Sequence, residues 1–460
     1  MTVKSLRTVF VLCLLAAAAA VSVAQTVAPD ARIQRAVTAV DAARLQSIDL
    51  ALVTFGTRHT LGTTLPAEKH AGVIQARQWI EAELRRTSQQ CQGCLEVKQY
   101  SSVEGPAPRL PQPAELVTIY AIQKGTDPEA AKRIILLCAH YDTIAMARMN
   151  DPEAPAPGAN DDGSGTSLVL EAARVLSREH FPATIIYALF PGEEQGLFGS
   201  KAFAKLARTE GWQLEAVLSN DIVGGDNTRD QHHLARVFSE GIPATLTADD
   251  GDRATLRRLR LLGAELDSPS RQLARYIDAE VPAYLPAANV QPKMVFRQDR
   301  FLRGGDHTSF NELGFAAVRI TEYAENYDHQ HQLPRVENGV EYGDLPKFVD
   351  FTYLAGVTRL NVAAAALLAA APAPPAEVKL VTRELVNSST LHWKPSPDGR
   401  AAGYELLLRD TTAPGWEKIV PAGAQLQITV PDSKDNVIFG VRAYDQDGHR
   451  SLVVMPAPER

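Results

Sequence analysis

The apolar pattern of the chain changes character near residue 372. Before it, stretches with helical spacing alternate with short apolar runs. Residues 33–56 and 66–87 pattern as helices, with Trp79, Ile80 and Leu84 on one apolar face of the second. Glu115–Gln123 and Arg133–Ala139 pattern as strands around the turn Lys124–Pro128. After Gly165, Leu168, Ala172, Val175 and Leu176 recur at helical spacing. Thr184–Phe190 is almost wholly apolar, which suits a strand buried on both faces. A helix over Leu197–Ala207 and a strand over Ala216–Ile222 follow. The charged segment Asp249–Arg260 predicts a solvated helix or loop, Ala316–Thr321 a late strand, and Lys347–Leu368 a closing helix. This alternation predicts an α/β fold with a mixed, largely parallel central sheet flanked by helices.

Pro372-Ala-Pro-Pro375 punctuates the chain. Beyond it come short β segments at Leu391–Trp393, Gly403–Leu408, Leu426–Val430 and Val437–Ala443, with turns at Asp398-Gly399 and Asp447-Gly448. A buried-strand Trp and a Tyr before an apolar strand suit a small β-sandwich, and the segment resembles a fibronectin type III module. The expected division is a leader over 1–24, an α/β domain over 25–371, a proline-rich linker over 372–376 and a β-sandwich over 377–460. The last carries no visible chemistry and is expected to pack on the larger domain or to bind a surface or polymer.

Composition narrows the class. Of 460 residues, 45% are hydrophobic, enough for a large core. A net charge of −7 with no basic run argues against nucleic-acid binding. Lys4 and Arg7, the apolar run Val9–Val21 and the small residues Ser22–Ala24 form a signal-peptide pattern, too short to span a bilayer. The mature chain is therefore expected to be secreted or periplasmic, without stable membrane insertion. In an oxidising compartment Cys91 and Cys94 are expected to form a structural bridge, while Cys138, in an apolar strand, reads as a buried small hydrophobe.

The candidate chemistry lies at strand ends. His140 and Asp142, two apart, face the same way where the first central strand finishes. Alone, such a pair is an ordinary strand-end turn. Asp161 sits in the loop Pro157-Gly-Ala-Asn-Asp-Asp-Gly-Ser-Gly165 that opens the next helix, where one of Asn160, Asp161 and Asp162 is expected to cap a turn. Glu193 and Glu194 follow the buried strand; two adjacent carboxylates there repel unless a cation accompanies them. Asp221 closes another apolar strand. Acids at successive strand ends point to a metal-dependent hydrolase.

These residues, taken in order, resemble the M28 zinc peptidases, the group that includes bacterial leucyl-type aminopeptidases. The resemblance covers residues 30–370. It rests on Ala139-His-Tyr-Asp-Thr143, the Pro157–Gly165 loop, Gly192-Glu-Glu-Gln-Gly196, Gly199-Ser200, Asn220-Asp221 and Gly305-Asp-His-Thr-Ser-Phe310, with Arg58-His59-Thr60 as an N-terminal signature. It implies a zinc-exopeptidase fold and two zinc ions per chain. Asp161 would bridge the ions, His140 and Asp221 would complete one site, and Glu194 with a late histidine the other. Glu193 would be the general base and Asp142 would support the site from behind. Three carboxylates and a shared hydroxide would balance two zinc ions.

The late histidine is either His331 or His329, with His331 preferred; His307, in the Asp-His-x-x-Phe motif, is a rival from sequence alone. His232, His233 and His392 read as surface or packing residues. The implied activity is removal of N-terminal residues from peptides. A glutaminyl cyclase-like enzyme with one zinc and a non-catalytic binding protein on the same fold are the alternatives. Specificity would reside in the loops between Asp226 and Phe301.

Overall fold

The computed structural model describes residues 29–66, 72–246 and 250–459. The expected leader, residues 67–71 of the second expected helix and residue 249 lie outside these.

The expected first helix is two: α1 (Ala31–Thr38) and α2 (Ala42–Val53). They break at Asp41, whose side chain accepts the Ala43 N–H as an N-cap. α3 (Val73–Gln90) buries Ile80 and Leu84 and ends at the Cys91–Cys94 disulfide. β1 (Glu96–Glu104), missed by the sequence pattern, is an edge strand with alternating exposure. It pairs antiparallel with β2 (Ala114–Gln123). β3 (Arg133–His140), α4 (Gly165–Leu176), β4 (Thr184–Phe190), α5 (Phe198–Thr209) and β5 (Gln213–Asn220) form the predicted alternation. Next come β6 (Leu234–Ser239), the helices α6 (Asp250–Leu262) and α7 (Pro269–Glu280), β7 (Gln291–Val295), the short α8 (Asp306–Asn311) and β8 (Ala317–Glu322). The hairpin β9 (Arg335–Glu337) and β10 (Val340–Tyr342) precedes α9 (Phe351–Ala370), which starts at the Asp350 N-cap.

The sheet runs β1-β2-β4-β3-β5-β8-β6-β7. Its centre, β4-β3-β5-β8, is parallel, and antiparallel pairings join it to the strands on either side. α9 is apolar enough and long enough to cross a membrane, yet 94% of its apolar window is buried among α1, α2, α4 and β3. The Ala-rich stretch 362–371 is thus the packed centre of one core layer; small side chains let these elements approach closely. The opposite layer is aromatic, with Phe190 between Phe203 and Phe310 and Cys138 buried in the same cluster.

After the prolines, β11 (Ala376–Val381), β12 (Ser389–Lys394), β13 (Gly403–Asp410), β14 (Lys418–Gly423), β15 (Gln427–Val430), β16 (Val437–Tyr444) and β17 (Ala457–Glu459) make two sheets, β15-β12-β11-β17 and β14-β13-β16. They enclose a common core in which Trp393 packs on Tyr404 at 5.6 Å. β11, β14 and β17 have no counterpart in the expected pattern. Buried polar contacts tie these sheets to the rest. Arg409 grips both oxygens of Asp267 at 2.8 and 2.9 Å, Arg442 reaches Glu280 at 2.7 Å, and His449 Nε2 lies 3.0 Å from Asp30 Oδ2.

Candidate metal centre

Parallel strands deliver their C-terminal ends to one edge, and loops leaving them form a crevice there. His140 is the last residue of β3, Glu193 and Glu194 lie in the loop after β4, and Asp221 immediately follows β5. Asp161 arrives from the loop before α4, where the Asp161–Asp162 peptide bond is cis.

The loop is fixed from several sides. Arg58, fully buried, donates to the carbonyls of Tyr141 at 2.7 Å, Pro157 at 2.7 Å and Gly158 at 2.8 Å, tying the end of β3 to the loop. Gly158 has φ +55°, and a Cβ there would meet the Thr143 side chain at 2.1 Å. Asp162 is the turn-capping acid: it accepts the N–H of Gly165 at 2.8 Å and of His140 at 3.1 Å. A Cβ on Gly165 would stand 2.4 Å from that carboxylate, so only glycine fits. Asp344, absent from the expected set, accepts the N–H of Asn160 at 2.8 Å and of Asp161 at 2.7 Å. Burial pushes the Asp344 carboxyl up to about 7 despite those two N–H groups.

Asp161 stands between two histidines. Its Oδ1 lies 3.3 Å from His140 Nε2 and its Oδ2 2.8 Å from His331 Nε2. Asp221 Oδ1 is 3.9 Å from His140 Nε2, and Glu194 Oε1 is 3.0 Å from His331 Nε2. Two donor groups result, His140–Asp161–Asp221 and Asp161–Glu194–His331, each with ligand atoms within 4.8 Å of one another. Gln330 Nε2 also donates to Asp161 Oδ2 at 3.0 Å.

The other candidates occupy different places. His329 turns away, pairs with Asp226 through Nδ1 and stacks on Phe348 with ring centroids 3.6 Å apart. His307 is buried behind the wall, with Nε2 on the Gln298 carbonyl at 2.9 Å, and joins neither group. Asp142 accepts the backbone N–H of Glu193 at 3.1 Å and of Glu194 at 3.3 Å, and the Thr60 hydroxyl at 3.1 Å. The Arg58-His59-Thr60 segment thus supports both the Asp161 loop and the Glu193-Glu194 turn.

The electrostatics describe a hole for cations. Burial opposes charge on His140, but Asp142, Asp161 and Asp221 outweigh it and hold its pKa well above the ordinary value. Burial likewise disfavours charged His331, and Glu194 and Asp161 reverse that effect. Burial pushes Glu193 well up, with Asp221, Glu194 and Asp306 adding to it against His140. Glu194 Oε1 and Asp221 Oδ1 are buried and make no well-aligned hydrogen bond; the His331 and His140 nitrogens face them at 3.0 and 3.9 Å. Buried carboxylate oxygens without such a bond are costly, and a metal ion satisfies them. Nitrogen and carboxylate donors in sets of three fit zinc with an open position.

The backbone is strained around the cleft. Leu197, Ile222, Leu302 and His331 have φ of 62°, 56°, 57° and 58°, conformations disfavoured for branched or bulky side chains. The cleft is about 310 Å³, lined by Asp161, Glu193, Glu194, Asp221 and His331, and by Arg109, Arg300 and Arg303. Sequence reasoning gave no sign of these arginines, nor of Arg319, a fully buried residue of β8 that lies 3.0 Å from Asp221 Oδ2. Lone arginines in loops and strands form no motif.

Known proteins resemble this chain over most of its length. The pattern of peptidase family M28 matches residues 118–334. A probable zinc metalloprotease of Pyrenophora tritici-repentis is 40% identical over 433 residues, covering 94% of this chain and 88% of its own. One of Leptosphaeria maculans is 40% identical over 434 residues, covering 94% and 98%. The crystal structure of the Legionella pneumophila LapA aminopeptidase shares the fold at a TM-score of 0.51 and 19% identity, over 75% of this chain and 76% of its own.

Proposed function

The chain belongs to peptidase family M28, and from that premise we propose that it is an exported dizinc aminopeptidase. His140, Asp161 and Asp221 would hold one ion, and Asp161, Glu194 and His331 the other. The placement of Asp161 carries this reading: its two oxygens face two different histidines, 3.3 and 2.8 Å away, as a bridging ligand requires. Zinc in such sites polarises a carbonyl and acidifies water.

The remaining chemistry belongs to side chains. Glu193 lines the cleft beside the donor groups, and no side chain among the described residues donates to its carboxylate. It is placed to take a proton from the attacking water and to return it to the leaving amine. Asp142 orients this base and Glu194 together by accepting both backbone N–H groups. The small cleft favours chain ends over folded polypeptide. The signal-like N-terminus and the Cys91–Cys94 bridge support export.

Metal analysis with activity on aminoacyl-peptide substrates tests the reading. Two zinc ions per active chain, loss of activity with chelator and recovery on zinc addition are expected. Full activity at one ion per chain would overturn the dizinc reading. Glu193→Gln should lower kcat by about 10²–10⁴-fold, the usual contribution of a general base, with zinc content unchanged. Wild-type rates in that variant would overturn the proposed mechanism.

A further inference from the structure

In and behind one wall of the cleft, guanidinium groups outnumber the carboxylates that pair with them. Glu325 is shared by Arg236 at 2.6 Å, Arg300 at 3.1 Å and Arg303 at 3.5 Å. Asp299 is shared by Arg300 at 3.1 Å and Arg319 at 3.3 Å. Four arginines therefore meet two acids outside the donor groups. Arg300 and Arg319 are buried and ion-paired in the wall, but the Arg303 side chain is 37% exposed and has the longest of the Glu325 contacts.

Arg109, at the tip of the loop between β1 and β2, lines the same cleft. Pro106, Pro108, Pro111 and Pro113 stiffen this loop, and buried Leu110 packs it against Leu61 and Leu116. Arg109 donates one N–H to the Glu194 carbonyl at 3.2 Å and has no carboxylate partner among the described residues. Two exposed cations from segments far apart in sequence thus face one cleft. Leu302, 92% exposed, also lines this cleft and offers apolar contact to an aliphatic stem.

We propose that Arg109 and Arg303 bind a carboxylate of the substrate, so that the preferred peptide carries a negative charge next to the scissile bond. This rests on the peptidase reading. Guanidinium pairs with carboxylate through charge-assisted, often bidentate hydrogen bonds, and a protein places it where such a group must be positioned. The carboxylate is either the C-terminus of a very short peptide or an acidic side chain.

Four substrates separate these sources with the zinc-loaded full chain: leucyl-alanine against leucyl-alaninamide, and glutamyl-alaninamide against glutaminyl-alaninamide. A preference of about tenfold in kcat/KM for the charged member of at least one pair is expected, the scale of one charge-assisted hydrogen bond. It should shrink as ionic strength rises, because both arginines are exposed. Arg303→Gln and Arg109→Gln should each reduce that ratio several-fold. Hydrolysis of all four with both ratios within about twofold of one would overturn the carboxylate site and leave the peptidase reading intact. A preference unchanged in both variants would do the same. Hydrolysis of none would overturn both.

Discussion

Arg319, buried in β8, lies 3.0 Å from Asp221 Oδ2 and leaves Asp221 Oδ1 facing His140. Burial raises the Asp221 carboxyl, and Arg319 and His140 together more than offset it, so the group is held below its usual range. The arrangement presents one oxygen of Asp221 to the donor group and fixes the other. Arg319→Met leaves Asp221 without its buried guanidinium and Asp299 with Arg300 alone. It should cost about 3–5 kcal/mol of stability in urea unfolding with chelator present, the usual cost of breaking a buried pair. A loss below about 1 kcal/mol would contradict this account.

Asp142 is expected to act through the turn it caps. Asp142→Ala removes the acceptor for the Glu193 and Glu194 N–H groups. Activity or zinc affinity should fall by about 10–100-fold, as for other residues that orient ligands. Parallel steady-state kinetics and zinc titration will tell which of the two changes. An effect on neither would show that the turn holds its shape without Asp142.

The C-terminal sheets are expected to contribute to the stability of the whole chain. Arg409 and Asp267, each with a side chain only 1% exposed, join β13 to the start of α7. Arg409→Met should destabilise by about 3–5 kcal/mol and split a single unfolding transition into two. A single unaltered transition in calorimetry would show that the junction does not depend on this pair.

Glu240 should make stability fall as pH rises. Burial pushes its carboxyl up to about 7 from an ordinary 4.5, against the Ala244 N–H and Arg271. The folded chain therefore binds more protons than the unfolded chain between these values, and stability declines from about pH 4.5 to about pH 7. Glu240→Gln keeps an acceptor for the Ala244 N–H and removes the charge. It should be more stable than wild type above pH 7, with the difference vanishing below pH 4.5 in denaturation across this range. A difference independent of pH would place the titration elsewhere.

The central alternation was legible because buried parallel strands are continuous apolar runs. Thr184–Phe190 was expected as a strand and is β4, residue for residue. The edge strand β1 and the strands β6 and β7 carried weaker signals: their exposed or charged positions dilute the apolar pattern. The break at Asp41 was hidden because no glycine or proline marks it. The proline-rich boundary was visible, although β11 already starts at Ala376, inside the expected linker.

The sequence by itself determined which chemistry the chain can hold. His140, Asp161, Glu193, Glu194 and Asp221 sit at or just after strand ends, and parallel pairing brings such ends to one edge. Only the tertiary structure decided between two histidines a single residue apart. His331 adopts φ +58° and reaches Asp161, while His329 turns to Asp226 and Phe348. Nor could linear spacing place Asp344, Arg109, Arg303 or Arg319. Their roles depend on loops and strands far apart in sequence, where a single charged residue has meaning only through what packs beside it.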